Sequence, residues 1–375
     1  MNKKKMAIVC FTPQGQVLAE KVQAVWSSPV LEADWSIEFV YKPVPFRDWM
    51  LEHFQELDAL VFIGAMGIVV RDMAPCLKSK LTDPAVVVLD EKGQFVISVL
   101  SGHIGGGNAL TLELAKRVGA TPVVTTSSDV NGKIAIDVFA QKNHLFITSM
   151  KQAKLCASDI VSGYPVSFFC DGTVIGTVPR ELGGKSLELN LQEADVDTYT
   201  DVEDEIYQKD PKERKKTSRI VVSPKTQQPS DGLLHLIPQA YVLGVGCKKG
   251  TSKAQLEARI KEELDKLGID IRSIKGMASI DIKQEEAGLL DFAKKRRIPI
   301  AFYSAEELSK LEGDFTPSSF VSTVTGVENV CERAGFMLAK ENGATALSDC
   351  LVLPKSGKDG VTVAIMKLDW SVRFD

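Results

Sequence analysis

The sequence lacks the features that mark several protein classes. Its seven cysteines are scattered, with no Cys-x-x-Cys pair and an odd total, which argues against a disulfide framework and a cysteine zinc site. It has four histidines and no two at metal-ligand spacing, so no metal site held by the protein is expected. There is no excess of basic residues: the net charge is −4, which argues against a dedicated nucleic-acid binder.

Long hydrophobic runs are also missing. The longest, residues 59–70, is interrupted by two glycines and falls short of the roughly twenty residues that a membrane helix needs. A basic start, Lys3 to Lys5, is followed by an apolar stretch too short for a signal peptide. With reduced cysteines, these observations predict no membrane partner and a cytoplasmic location.

The composition is that of an ordinary globular protein, with 44% hydrophobic and 25% charged residues. A chain of 375 residues is expected to hold two or three domains. We predict an N-terminal α/β domain at 1–145, a small middle α+β domain at 146–225, the end of a linker at 226–240, and a C-terminal α/β domain at 241–375.

The N-terminal part alternates short Val- and Ile-rich segments with helical stretches, a pattern that predicts an α/β fold with a mostly parallel open sheet. The predicted strands are 5–11, 36–41, 59–64, 85–90, 95–100 and 122–126. Residues 108–118 carry apolar side chains every four residues and end before Gly119, which predicts a helix.

The same alternation returns from Tyr241 and predicts a second mostly parallel sheet, with strands at 241–246, 298–303 and 361–367 and a helix at 253–267. Between the two parts, short strands separated by turn pairs such as Asp171-Gly172 predict hairpins. The acidic and then basic run 201–219 indicates a solvated linker.

Three glycine-containing loops join a strand to a helix, at 101–108, 244–252 and 323–330. Glycine allows a ligand to approach the backbone, and the helix start offers N–H groups that attract a carboxylate or a phosphate. Tight packing of strand against helix is the alternative explanation. The GxGxxG pattern is absent and Lys249 precedes Gly250, the reverse of a P-loop, so a nucleotide-using enzyme is the weaker prediction.

Several side chains near these loops suit acid–base chemistry or anion binding. His103 could act as a general base, or could simply bond the loop backbone. Arg71 could clamp a carboxylate, and Thr125, Thr126 and Asp129 could bind a substrate or cap a helix. Other titratable groups fall at predicted helix starts, where the helix dipole alone would favour glutamate. These are Lys283, Glu285, Glu286, Glu328 and Glu332, the last two predicted one turn apart on one helix face.

These motifs, in this order, resemble the cobalt-precorrin-5A hydrolase family of anaerobic cobalamin biosynthesis, also called the CbiG family. The resemblance covers nearly the whole chain and is weakest in the middle. The residues that carry it are 64–71, 83–90, 100–108, 122–129, 244–252, Lys283 with Glu285 and Glu286, and 326–332. One departure is Ser127-Ser128, where the family is expected to have a small residue and a threonine.

The resemblance implies a hydrolase that opens the ring A δ-lactone of cobalt-precorrin-5A and releases a two-carbon unit as acetaldehyde, giving cobalt-precorrin-5B. It implies no cofactor, because cobalt is part of the substrate. The implied partner is the cobalt tetrapyrrole; neighbouring enzymes of the pathway and a second copy of the chain are further candidates. A carrier that binds the same tetrapyrrole without transforming it is the alternative.

Within this interpretation, His103 is the base and Glu286 or Glu328 the acid. Arg71, Lys248 and Lys249 would clamp substrate carboxylates, while backbone N–H groups of the loops hold carboxylates or the oxyanion. The remaining candidate substrate-binding residues are Ser101, Gly102, Gly105, Gly106, Gly107, Asn108, Thr125, Thr126, Asp129, Gly246, Cys247 and Lys283.

Overall fold

The computed structural model of the chain describes residues 3–26, 35–79, 82–103, 105–183, 218–317 and 327–374. The chain divides into two compact units, Met1–Gln141 and Lys142–Asp375. The predicted linker at 201–219 lies, except for its last two residues, outside the described residues.

The first unit is built around a six-stranded sheet, and its strands match the predicted segments closely. They are β1 (Lys4–Cys10), β2 (Trp35–Tyr41), β3 (Ala59–Ile63), β4 (Ala85–Leu89), β5 (Phe95–Leu100) and β6 (Thr121–Val123). The spatial order is β2-β1-β3-β4-β5-β6. Four of the five neighbouring pairs are parallel, and the predicted α/β class with a mostly parallel sheet is confirmed.

The exception is the pair β4–β5, which is antiparallel. Val86, near the start of β4, lies opposite Leu100, at the end of β5. Strand β6 is parallel to β5, so both end at the edge of the sheet where β1, β3 and β4 begin. The loop after Leu100 and the loop after Val123 therefore share one edge, and Gly64, after β3, lies at the other.

Six helices accompany this sheet: α1 (Pro13–Trp26), α2 (Phe46–His53), α3 (Met66–Met73), α4 (Gly107–Val118), α5 (Ser127–Val130) and α6 (Ile136–Lys142). Two apolar clusters form because the central strands are buried on both faces. In one, Leu114 of α4 packs with Ile8 and Val87 of the sheet. In the other, Met50 of α2 packs with Phe62 and Val88.

The second unit contains three sheets. Its strands are β7 (Phe146–Ile147), β8 (Ser167–Cys170), β9 (Thr173–Ile175), β10 (Arg219–Val222), β11 (Leu233–Ile237), β12 (Tyr241–Cys247), β13 (Ile274–Ile280), β14 (Ile300–Tyr303), β15 (Leu351–Lys358), β16 (Val361–Lys367) and β17 (Ser371–Arg373). The α-helices among its described residues are α7 (Met150–Val161), α8 (Lys253–Lys266), α9 (Ala287–Arg296), α10 (Ala305–Ser309), α11 (Cys331–Glu341) and α12 (Leu347–Cys350).

The larger sheet of this unit has five strands in the order β14-β13-β12-β16-β15. Strands β12, β13 and β14 are parallel to one another, while β16, predicted as a strand at 361–367, runs antiparallel to both of its neighbours. Helix α8 begins at a capping box, in which Ser252 and Gln255 each satisfy a backbone amide of the other. Because the three parallel strands end at one edge, the loops after Cys247 and Ile280 lie side by side.

Two predictions for the middle of the chain are wrong. Strands β8 and β9 do not form a hairpin: β8 pairs with β10, and β9 pairs with β17, since the turn at Gly172 packs against the ring of Trp370. Residues 226–240, expected to end a linker, contain β11. That strand is almost entirely buried, and pairs with β10 and β7 in a four-stranded sheet.

Strand β11 also buries a histidine. His235 is 5% exposed, and its Nε2 lies 2.9 Å from the carbonyl oxygen of Ser223. Burial lowers the pKa of His235 below its ordinary value, because the charged imidazolium loses its hydration. Among the helices that the structure describes, none is long and apolar enough to cross a membrane.

The contact between β12 and the start of α11 depends on Gly244. A Cβ at this position would lie 1.7 Å from the backbone oxygen of Cys331, which no side-chain rotation can relieve. We expect Gly244→Ala to lower the free energy of unfolding by about 3 kcal/mol or more, the upper range for overpacking. Urea denaturation measures this. Gly183→Ala, which adds its methyl group to open space in the same unit, is the control; equal stability of the two variants would contradict the prediction.

Candidate functional site

The loop after β5 makes an unusually tight turn. Ser101 has a φ of +52°, and its hydroxyl donates a hydrogen bond to the carbonyl oxygen of Asp83 at 2.9 Å. A Cβ on Gly107 would lie 2.8 Å from the carbonyl oxygen of Leu100, so only glycine fits there without a shift. The turn brings His103 over the start of α4.

His103 stands between two carboxylates. Its Nε2 lies 2.9 Å from Oδ2 of Asp129 and 3.0 Å from Oγ of Ser128, both on α5. Its Nδ1 lies 3.3 Å from Oδ1 of Asp137, on α6. The side chains of His103 and Asp137 are 19% and 16% exposed, whereas that of Asp129 is 39% exposed. Nδ1 therefore faces the more buried carboxylate, and Nε2 faces the more exposed one together with the buried Ser128.

The two carboxylates determine the charge of the ring. The bond to Asp137, opposed by burial and supported by Asp129, raises the pKa of His103 above its ordinary value of 6.5. Both ring nitrogens can donate only in the imidazolium, which is the form that this arrangement stabilises.

Asn108, at the start of α4, fixes the position of Asp129. Its side-chain nitrogen donates to Oδ2 of Asp129 at 3.0 Å and to Oγ1 of Thr126 at 2.9 Å, and its oxygen accepts from Ser98 at 2.7 Å. Asn108 is 5% exposed and all of its bonding groups are used. We refer to His103, Asn108, Ser128, Asp129 and Asp137 as the His103 cluster.

The backbone amides of this loop are less available than predicted. Gly106 donates to the carbonyl oxygen of His103, Gly107 to that of Ser101, and Asn108 to that of Gly102. The expected anion cradle is therefore wrong for Gly106 and Gly107, since their N–H groups hold the loop together. Gly102 serves packing, because a Cβ there would lie 2.5 Å from the Asn108 side chain.

Other predicted residues of the first unit do not join the cluster. Arg71 lies in the last turn of α3, is exposed, and belongs to the segment that leaves the opposite edge of the sheet. Thr125 is exposed, while Thr126 contacts the cluster by accepting a hydrogen bond from Asn108.

The second unit has its own loop, after β12. Lys248 and Lys249 are exposed there. Glu286, from the loop after β13, accepts a hydrogen bond from the amide of Gly250 at 2.6 Å and pairs with Lys283 at 3.4 Å. The Lys283 and Glu286 side chains are 14% and 11% exposed. An internal carboxylate thus binds an amide of the loop that the sequence analysis assigned to a ligand.

Another amide of this loop, that of Lys248, also has a partner within the fold. Gly246 and Cys247 are in register with Thr362 and Val361 of β16, and the amide of Lys248 donates to Gly360 at 3.0 Å. The prediction that amides 246–248 bind substrate is therefore wrong for Lys248, whose N–H is used within the fold. Burial raises the pKa of the Cys247 thiol, so it stays protonated at neutral pH.

The third predicted loop, 323–330, is described only from Val327, and residues 323–326 lie outside the described residues. Glu328 is exposed and precedes α11, so the expectation that Glu328 and Glu332 share a helix face is wrong. Glu332 is 1% exposed and accepts hydrogen bonds from the amide and hydroxyl of Thr316 and from the amide of Lys355. Its role is therefore structural, because it holds these two segments together.

Sequence reasoning missed Ser128 and Asp137. Ser128 was noted only as a departure from the family pattern, and Asp137 follows His103 by 34 residues in an otherwise apolar helix start, where no spacing marks it. In the part of the chain that the structure describes, no group of three His, Cys, Asp or Glu side chains is arranged to hold a metal ion.

The fold and the loops define the class: an α/β protein with two strand–glycine loop–helix sites, each bearing titratable side chains. Residues 48–129 match the family described as Cobalamin synthesis G N-terminal, and 241–366 match Cobalamin synthesis G C-terminus. A cobalt-precorrin-5A hydrolase from Salmonella typhimurium is 33% identical over 90% of this chain and 92% of its own. A cobalt-precorrin-5A hydrolase from Priestia megaterium is 34% identical over 84% of this chain and 80% of its own.

This chain belongs to the cobalt-precorrin-5A hydrolase family, and the resemblance seen in the sequence is confirmed. A solved structure of a cobalamin biosynthesis protein G homologue from Sulfolobus solfataricus is 18% identical, with a TM-score of 0.38, over 98% of this chain and 97% of its own.

The pKa values of two histidines are expected to be shifted in opposite directions from the ordinary value of 6.5. The midpoint of His103 should lie above it and that of His235 below it. His103 therefore stabilises the fold fully below pH 6.5, and this contribution is lost as pH rises through its folded pKa. His235 contributes fully above 6.5, and its contribution is lost as pH falls through its folded pKa. Imidazole NMR titrations of the intact chain, assigned with His103→Asn and His235→Asn, measure both; a His103 midpoint below that of His235 would contradict the assignment.

Proposed function

We propose that this protein hydrolyses the ring A δ-lactone of cobalt-precorrin-5A, releases acetaldehyde and yields the contracted ring of cobalt-precorrin-5B. The proposal rests on the family relation and on one feature of the first unit: a histidine flanked by two carboxylates, with the more exposed of them at Nε2. Acyl hydrolysis needs a positioned base, and His103 is our candidate for that role.

The proposed reaction has two stages. Water adds to the lactone carbonyl and the bond between the acyl carbon and the ring oxygen breaks, leaving a carboxylate and a hydroxyl on the bridging carbon. The hydroxyl then becomes the carbonyl of acetaldehyde as the carbon–carbon bond to the macrocycle breaks. The electron pair remains on the macrocycle, which takes up a proton. No oxidant or reductant is needed.

His103 is proposed as the base for the attacking water. In its neutral form Nε2 accepts the proton, and the carboxylates of Asp129 and Asp137 stabilise the imidazolium that results. The raised pKa of His103 increases its basicity, while activity then requires the deprotonated ring. Turnover is therefore proposed to rise with pH through a midpoint above 6.5.

We assign the proposed anion-binding residues and the proposed acid by the exposure of their side chains. The exposed cations Lys248, Lys249 and Arg71 are proposed to pair with substrate carboxylates, which a precorrin carries in number. Of the two candidate acids, both in the second unit, Glu328 is exposed. Glu286 is engaged by Lys283 and Gly250, so we assign it to holding the loop after β12.

The direct test is anaerobic incubation of the protein with cobalt-precorrin-5A, with acetaldehyde trapped and the macrocycle mass recorded. One acetaldehyde per macrocycle, with the matching mass change, is expected. Tight binding with neither change would support the carrier alternative and overturn the hydrolase. Binding is followed separately by the rise in melting temperature that a tight ligand causes.

His103→Ala should lower turnover by about 10²- to 10⁴-fold, the usual contribution of a general base. The control is His53→Ala: His53 lies on α2 of the same unit and bonds only the Trp49 carbonyl and stacks on its ring among the described contacts. Turnover of His103→Ala within about threefold of the unmodified protein would exclude His103 as the base.

A further inference from the structure

Asp137 holds the side of His103 that faces away from the exposed carboxylate. Its Oδ1 lies 3.3 Å from Nδ1, and Asp137 is the less exposed of the two acids, at 16% against 39% for Asp129. The Nε2 edge is left facing Ser128 and Asp129. The two nitrogens of the ring therefore have different surroundings: Nδ1 faces the more buried carboxylate, and Nε2 faces the more exposed one.

The position of Asp137 has a competing, purely structural explanation. It lies in the first turn of α6, where an acidic side chain is favoured by the helix dipole, and its Oδ1 also accepts from the amide of Val138 at 3.0 Å. An acidic residue in the first turn of a helix is stabilised there without any contact to a histidine. What the dipole does not explain is that the same oxygen faces a ring nitrogen from a loop 34 residues earlier.

The partner of one imidazole nitrogen decides which nitrogen carries the proton in the neutral ring. Free histidine places that proton mainly on Nε2, which would leave no lone pair there to accept another. Asp129, at 2.9 Å from Nε2, favours that same Nε2 proton, whereas Asp137, at 3.3 Å from Nδ1, opposes it by accepting the Nδ1 proton. Solvent screens Asp129 more strongly than Asp137, because their side chains are 39% and 16% exposed. Where Asp137 prevails, the Nε2 lone pair is available to a water molecule.

We propose that Asp137 is the positioning residue of the site: its pairing with Nδ1 fixes the tautomer and orientation of His103, so that Nε2 can take the proton of the attacking water. The proposal rests on the proposed function of His103 as base. Asp137 itself touches the ring and not the reacting atoms.

The charged groups facing the ring are Asp129 from α5 and Asp137 from α6; among the described residues no further ion pair to His103 is present. Of the influences on the pKa of His103, the bond to Asp137 is the largest. The polar neighbours Ser128 and Asn108 carry no charge and act through Nε2 and Asp129.

The first measurement needs no variant. Nitrogen-15 shifts of the His103 ring, recorded above its midpoint, report which nitrogen is protonated. The proposal expects a protonated Nδ1 and a bare Nε2. A neutral ring protonated at Nε2 would overturn it, whatever the activity of the protein.

The second measurement compares Asp137→Asn with Asp48→Asn. Asparagine keeps the shape and the oxygen that accepts from Val138 but removes the charge. Asp48 is likewise a first-turn acid, on α2, with no contact to His103, so it controls for the helix dipole. We expect Asp137→Asn to lower the His103 midpoint by about one pH unit or more, and Asp48→Asn to leave it unchanged.

Turnover separates this proposal from the function on which it rests. We expect Asp137→Asn to lower kcat at least about tenfold with little change in KM, and to move the rising limb of the pH profile downward with the His103 midpoint. An unchanged midpoint, or a lowered midpoint with unchanged kcat, would overturn the role of Asp137. Full activity of His103→Ala would instead overturn the base assignment itself.

Discussion

The antiparallel pairing of β4 with β5 decides where the functional side chains of the first unit lie. Were β5 parallel to β4, the loop after Leu100 would lie beside Gly64 and α3. The reversal moves it to the edge where β4 begins, and β6 follows because it pairs in parallel with β5. Histidine, amide and two carboxylates from four successive segments then meet at one end of a short strand pair.

The cluster depends equally on close packing beneath it. The loop leaves β5 with Ser101 in a left-handed conformation and re-enters α4 at a glycine that touches the backbone of Leu100. Asn108 is buried at this point, and an unpaired amide there would cost about 1–3 kcal/mol. Ser98, Thr126 and Asp129 satisfy it, so the same bonds that stabilise the loop also place the carboxylate.

Much of the fold could be predicted from local pattern. The six strands of the first unit were found because each is a short apolar run, and α8 because its apolar side chains recur on one face. Strand β13 went unseen since Lys275 and Gly276 interrupt its run, and β15 because Pro354 and Gly357 are typical of loops. Strand pairing could not be predicted, because nothing in the local sequence indicates that β9 pairs with β17 nearly two hundred residues later.

The same limit applies to the site. A glycine-rich loop indicated His103 and Asn108, and the end of a predicted strand indicated Asp129; all three come together. The error was to treat the loop amides as free, since whether an N–H group has a partner is a property of the folded backbone. The packing alternative described the amides of Gly106, Gly107 and Lys248 better than the anion-binding one did. Asp137 could be assigned to the site only from the distance between its carboxylate and His103 in the folded structure.

The charge of the His103 cluster couples it to protons in solution. With the ring protonated, two carboxylates and one imidazolium carry one net negative charge; with the ring neutral they carry two. An anionic group that approaches Nε2 is repelled less by the protonated form, so its binding draws protons from the buffer by linkage. The heat of binding would then vary with the ionisation enthalpy of the buffer. Affinity and turnover would also favour opposite ends of the pH scale, since the protonated form binds an anion better and the neutral form accepts a proton.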